Sequence, residues 1–357
     1  MNILLVRLRL IGDVVFTTPI VRAVRRRYPG ARVGYLVEPH AAPVVEGNPH
    51  LDHLIVAARP DARGRLVADL RLARRLRADR YDLVLDLHGG PRAAWLSLAT
   101  GAPRRIGYAM PGRAWMYTDR VVRTRSPRPR HSVVNQWDLL APLGIDAPDP
   151  ERDPTEMPVS AAAARAVAAR LAGAGADPEC HRIVVLHVSA GNAFRRWPAA
   201  SWASLVAELA AASPDRRVIV VSGPSEALAA REVGAQARAR LGPGGRHVID
   251  AIDFGLAELR ALMDVAALFV GGDSGPLHVA GTSGVPIVGL YGPTLAARSA
   301  PWRPARLPTE SIEQAGLPCR PCDQRRCEPG DFRCLRSIEA ARVAAAAERL
   351  LARPGRE

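Results

Sequence analysis

Residues 266–278 read Ala266-Ala267-Leu268-Phe269-Val270-Gly271-Gly272-Asp273-Ser274-Gly275-Pro276-Leu277-His278. An apolar run of strand length ends in two glycines. An acid, a hydroxyl, a third glycine and a proline follow, and Pro276 suits the first turn of a helix. Strand, glycine turn and helix in this order mark a parallel α/β sheet, whose ligands bind at the carboxyl ends of the strands. Gly275 and Pro276 make an anion-binding helix start, with Ser274 beside it. Asp273 would repel a phosphate and could instead grip sugar hydroxyls. His278 is either a satisfied half-buried histidine or a catalytic one, and taken singly the first fits better.

The same alternation extends in both directions. Strands are expected at 182–187, 217–222, 267–271 and 286–290, with helices near 199–212, 225–241, 256–264 and 276–282. Towards the N-terminus, strands are expected at 2–7, 32–37, 53–56 and 82–87. A helix from 14 to 28 is stopped by Pro29-Gly30, and an arginine-rich helix lies near 65–79. Residues 142–158 carry five prolines without periodicity and read as a linker. An alanine-rich helix at 160–171 restarts the pattern, and an amphipathic helix at 337–351 ends it. The expectation is two Rossmann-like domains facing a central cleft, 1–158 and 159–335, the second with a cysteine-rich tail, followed by a C-terminal helical segment, 336–357.

The composition excludes several chemistries. The chain has 357 residues and a formal charge of +14, and all 49 of its basic side chains are arginine. Without lysine there is no Walker A loop and no pyridoxal Schiff base. No apolar run is long enough to cross a membrane. Arg7, Arg9 and Asp13 interrupt the first eighteen residues, so no signal peptide is expected and a cytoplasmic location is. The charge is concentrated: residues 59–130 hold 17 arginines against 6 acids. Arg71, Arg74, Arg75 and Arg77 fit a solvated helix face, yet clustered arginine also suits an anionic partner.

Four further segments carry candidate chemistry. Leu10-Ile11-Gly12-Asp13-Val14-Val15 follows the first strand. Gly12 lets the backbone turn, and Asp13 is either a helix cap or a general base at the cleft. His187-Val188-Ser189-Ala190-Gly191-Asn192 leads into Arg195-Arg196-Trp197-Pro198, where Ser189 and backbone N–H groups could hold a phosphate that Arg196 neutralises. In Ser222-Gly223-Pro224-Ser225-Glu226, Glu226 either complements a helix dipole or accepts hydrogen bonds from ribose hydroxyls. Cys319, Cys322, Cys327 and Cys334 could hold a structural zinc or iron, or stand as structural cysteines, reduced or in disulfides. Neighbouring arginines would favour thiolates.

These segments together resemble glycosyltransferase family 9, the ADP-heptose:lipopolysaccharide heptosyltransferases. The matching pieces are Leu4-Leu5-Val6-Arg7 with Ile11-Gly12-Asp13, Arg196-Trp197-Pro198, Gly272-Asp273-Ser274-Gly275-Pro276-Leu277-His278, Leu290-Tyr291-Gly292-Pro293-Thr294 and the cysteine-rich end. The resemblance implies a GT-B fold and an inverting transfer of heptose from ADP-heptose without a catalytic cofactor. It implies an anionic, lipid-linked inner-core acceptor at the inner-membrane surface. Asp13 would be the base, with Arg7, Gly12 and His88 on the acceptor side. Arg196, where the family often carries lysine, and the Gly275 helix would take the diphosphate. Asp273 would hold the heptose, with Ser274 beside it and His278 near the diphosphate. Ser189, Glu226 and Met263 would contact the adenosine side.

Two other readings fit the sequence less well. One keeps the fold and changes the nucleotide sugar, or makes a protein the acceptor. The other is a basic nucleic-acid-binding protein, against which stand an aromatic content of 5% and the lack of a binding motif.

Overall fold

Six parallel strands make the sheet of each half of the chain. The structure is a computed structural model that describes residues 1–58, 64–124, 129–250 and 252–353. It divides into two compact units, Met1–Pro158 and Val159–Glu357.

In the first unit the strands are β1 (Asn2–Val6), β2 (Arg32–Val37), β3 (His53–Val56), β4 (Leu83–Asp86), β5 (Arg104–Tyr108) and β6 (Asp119–Val121). Their order is β3-β2-β1-β4-β5-β6, and every pairing is parallel. In the second unit they are β7 (Arg182–His187), β8 (Arg216–Val221), β9 (Val248–Ile249), β10 (Ala266–Gly272), β11 (Ile287–Tyr291) and β12 (Thr309–Glu313), in the order β12-β11-β10-β7-β8-β9. Both halves therefore follow the doubly wound order of a Rossmann sheet, as the alternation predicts. The central strands read as unbroken apolar runs because helices cover both faces. Ile3, Leu4, Leu5 and Val6 of β1 and Ile183, Val184, Val185 and Leu186 of β7 are fully buried. Strands β5, β6, β9 and β12 escape the sequence pattern. They are short or charged and lie at or near the sheet margins, where no apolar run is required.

The order reverses between β1 and β4 in one sheet and between β7 and β10 in the other. At such switch points adjacent loops diverge and leave a crevice. The loops that leave β1 and β4, and those that leave β7 and β10, carry most of the candidate residues.

Two local expectations need correction. The helix expected over 14–28 is two helices, Ile11–Val15 and Thr18–Arg27. Thr17 turns its hydroxyl back to the Val14 carbonyl at 2.7 Å, and Pro19 has no N–H to continue the ladder. The stretch 142–158 is not a free linker. Arg26 and Arg152 both pair with the fully buried Asp153, Arg22 pairs with Glu156, and the Glu156 amide donates to Thr18 Oγ1 at 2.9 Å. The final helix, Ala340–Leu351, buries Val343, Ala347 and Leu350 in one cluster with Trp197, Trp202 and Leu335, within the core of the second unit.

Of the basic stretch, Arg59, Arg63, Arg125 and Arg128 lie outside the described residues, as do residues 354–357 of the C-terminal segment. The helix Arg65–Ala78 buries only Ala73 and Leu76. Arg71, Arg74, Arg75 and Arg77 face solvent there, beside exposed Leu66, Val67 and Leu70.

Candidate functional site

In the first unit the chain leaves β1 through Arg7, Leu8, Arg9 and Leu10. Arg7 is nearly buried. One guanidinium nitrogen donates to the Leu87 carbonyl at 2.7 Å, which ties the β1 exit to the β4 exit, and another pairs with Asp13. Asp13 stands in the first turn of the helix Ile11–Val15 and keeps about a third of its side chain exposed. The sharp turn before it is not made by Gly12, which lies inside that helix. It falls on Leu10, with φ 69° and an exposed side chain. A left-handed leucine is costly and is found where surrounding structure imposes it, frequently at functional sites.

The β4 exit is shaped by Asp86. This fully buried carboxylate accepts from the His88 and Gly89 amides at 2.9 and 2.8 Å and from the Tyr117 hydroxyl at 2.5 Å. Burial raises its pKa, against the three hydrogen bonds that favour the charged form. Gly89 takes φ 68°, which lets the chain turn tightly around the carboxylate. The turn delivers His88 to a cavity of about 410 Å³ at the ends of β1, β2 and β4, with Leu8, Arg9, Arg65, Pro91 and Trp95 among its walls. Burial, with Arg7 and Arg9 nearby, holds the His88 pKa down to about 4, so the imidazole is neutral at pH 7. Arg92 in the same wall is occupied by Glu38 at 2.8 Å and Asp69 at 2.6 Å. Arg9 and Arg65 have no acidic partner among the described residues. The cavity therefore combines two available guanidiniums, a neutral imidazole and an indole, a set suited to an anionic sugar.

In the second unit the loops after β7, β8 and β10 converge by pairs. Ser189 Oγ accepts from the Gly223 amide at 2.9 Å, joining the β7 and β8 exits. Arg196 donates to the Ala190 carbonyl and pairs with Glu226 at 2.6 Å. Asp273 is only 2% exposed. Its backbone amide donates to the Leu290 carbonyl at 3.0 Å, and Thr294 Oγ1 donates to Oδ2 at 2.5 Å. Arg195 Nη1 donates to its carbonyl at 3.0 Å and lies 3.3 Å from Oδ2, while His278 Nε2 stands 3.5 Å from Oδ1. Burial alone would raise the Asp273 pKa, but His278, Arg195 and Thr294 together hold it below the usual carboxylate range. The Ser274 hydroxyl is buried with no partner among the described residues, next to Gly275 at the start of the helix Gly275–Ala280.

The candidates thus divide. Arg7, Asp13 and His88 gather at one switch point, and Arg7 serves Asp13 rather than an open surface. Ser189, Arg196 and Glu226 gather at the other, where Asp273, Ser274, Gly275 and His278 share a turn. Met263 is fully buried in the hydrophobic cluster with Leu262, Phe269 and Leu277, so its side chain presents no surface to a ligand. Arg195, Arg9, Arg65 and Trp95 were missed. Arg195 adjoins Arg196 in the sequence, and nothing local distinguishes the two. Trp95 in the helix after β4 carried the only usable signal.

The four cysteines line one cavity of about 320 Å³ with Phe194, Pro293 and Phe332. All are free thiols. Among the described residues no group of three or more His, Cys, Asp or Glu side chains is placed to hold a metal ion. The expectation of zinc or iron at this cluster thus meets no ready ligand group among the described residues; Cys334 is buried, and burial with the other three thiols nearby raises its pKa.

Both sheet orders, with polar loops at their switch points, define two Rossmann-like units, the fold of the GT-B glycosyltransferases. The solved structure of a glycosyltransferase family 9 protein from Veillonella parvula superposes with a TM-score of 0.81 at 23% identity, covering 98% of this chain and 97% of that one. The structure of Escherichia coli ADP-heptose lipopolysaccharide heptosyltransferase II does so with 0.77 at 20% identity, covering 98% of each chain. Escherichia coli lipopolysaccharide heptosyltransferase 3 is 27% identical over 347 residues, 96% of this chain and 97% of that protein. The model of glycosyltransferase family 9 (heptosyltransferase) matches residues 69–330, and the chain belongs to that family. It is a glycosyltransferase.

Proposed function

We propose that the protein transfers a heptose from ADP-heptose to an anionic, lipid-linked oligosaccharide of the lipopolysaccharide core. The observation that carries this reading is the pairing of two built switch-point sites, one around Asp13 and His88 and one around Asp273, within a family 9 chain. Support for the donor and the acceptor kind comes from the names of the relatives, lipopolysaccharide heptosyltransferase 3 among them.

In the proposed reaction an acceptor hydroxyl attacks the anomeric carbon of the heptose. The bond from that carbon to the diphosphate oxygen breaks, ADP departs and the configuration inverts. Asp13 takes the hydroxyl proton, and its Arg7 partner fixes the carboxylate's direction. Arg195 and Arg196 meet the diphosphate charge, which lets the reading dispense with a catalytic metal. Asp273 accepts hydrogen bonds from heptose hydroxyls. Ser189 and Glu226 take the adenosine side, Glu226 on the ribose. Arg9, Arg65, His88 and Trp95 receive the acceptor. The basic and apolar face of the helix Arg65–Ala78 rests on the cytoplasmic surface of the inner membrane.

Mass spectrometry of products from purified protein, ADP-heptose and candidate core acceptors tests the reading. A product heavier by one heptosyl unit is expected. Turnover with a different nucleotide sugar alone, or no turnover with any acceptor, would overturn it.

A further inference from the structure

The cysteine-rich segment reaches the Asp273 turn from two sides. On one side the Cys322 amide donates to the Pro293 carbonyl at 3.1 Å, and Arg320 donates to the Thr294 carbonyl at 2.7 Å. Thr294 in turn donates to Asp273. On the other side stands Gln324. Its Oε1 accepts from Arg195 Nε at 2.7 Å and from Asn192 Nδ2 at 2.9 Å. Phe194, between those two residues, meets Phe332 edge to face with ring centroids 5.4 Å apart. Gln324 holds this position with φ 61°, in the left-handed region.

A guanidinium with its Nε fixed has lost its main freedom to rotate, and its Nη groups point one way. Here Nη1 points at Asp273. A neutral amide does this without cancelling the arginine's charge, which a carboxylate at the same place would do. We infer that Gln324 is a positioning residue: its side-chain carbonyl fixes Arg195 against Asp273 and makes the cysteine-rich segment a working part of the donor site. The donor role of the Asp273 turn rests on the function proposed above; the positioning itself rests on the contacts just described.

Two readouts separate these claims. The first is the ¹⁵N–¹H signal of the Arg195 Nε–H in the full-length protein, which needs no ligand. It is expected to be visible and protected from solvent exchange in the wild type and in Gln324→Glu, and to broaden away in Gln324→Leu. Gln324→Gly removes the same acceptor while suiting the left-handed backbone, so it guards against misfolding. The second readout is the KM for ADP-heptose. Gln324→Leu and Gln324→Gly are expected to raise it about three- to tenfold and leave the acceptor KM unchanged. On an Arg195→Ala background the same changes are expected to have no further effect. Gln324→Glu is expected to keep the protected signal and still raise the donor KM, because it neutralises Arg195. An unchanged Nε–H signal in both Gln324→Leu and Gln324→Gly, or an equal KM increase with and without Arg195, overturns the inference. If the wild type does not turn over ADP-heptose, the proposed function fails and the signal still decides the positioning.

Discussion

Arg7 and Asp13 form an ion pair across the turn that leaves β1, and the same guanidinium is anchored to the Leu87 carbonyl at the end of β4. The carboxylate proposed as the base is thereby held by both strands that flank the switch point. Asp13→Asn is expected to reduce transfer by about 10²–10⁴-fold, while calorimetry shows ADP binding unchanged. Arg7→Met is expected to lower kcat in the same assay, again without weakening ADP. Normal turnover by Asp13→Asn would remove the base assignment.

Arg9 and Arg65 are available guanidiniums in the cavity beside His88. Replacing either with alanine is expected to raise the acceptor KM about tenfold and to leave the donor KM alone. Acceptors with the sugar carboxylate reduced, or with phosphates removed, show which anion is read. An equal loss with donor and acceptor would assign the residues to folding instead.

His187, at the end of β7, is buried, and its Nδ1 lies 3.1 Å from the Ser189 carbonyl. Burial holds its pKa down to about 4 against an ordinary value of 6.5. The unfolded chain therefore binds the proton first as pH falls. The contribution to stability is complete above pH 6.5, declines between 6.5 and 4, and is constant below. It amounts to on the order of 3 kcal/mol for a shift of this size. Urea unfolding of His187→Asn at pH 7, 5.5 and 4 is expected to show a shallower loss than the wild type. Parallel curves would refute the assignment.

The helix Arg65–Ala78 exposes Leu66, Val67 and Leu70 beside its arginines. Binding to phosphatidylglycerol vesicles is expected, weakening as salt screens the arginines. Substituting the three apolar residues with serine is expected to reduce cosedimentation at every salt concentration. Binding that ignores both salt and these substitutions would return the face to ordinary solvated surface.

Much of the fold could be read from apolar runs and glycine turns, because a strand buried on both faces has to be apolar along its length. The strands at 182–187 and 32–37 are found with those bounds. The margins could not be read that way, since β12, Thr309–Glu313, carries two glutamates and buries only Ile312 well. The candidate loops were legible because they follow such strands. The partnerships inside them were not. Arg195 and Arg196 are adjacent and chemically identical, yet one meets Asp273 and the other Glu226.

The sequence by itself determined the alternation of strands and helices, the lysine-free chemistry and the turns that carry Asp13 and Asp273. These are local properties of the chain, set by hydrophobic period and turn residues. Only the tertiary structure decided that Leu10 takes the left-handed turn, that Arg7 serves Asp13, that Met263 is core, and that Gln324 lies against Arg195 across more than a hundred residues of chain. Those outcomes depend on which side chains each unit brings within hydrogen-bonding distance, and such distances are fixed by the packing of that whole unit.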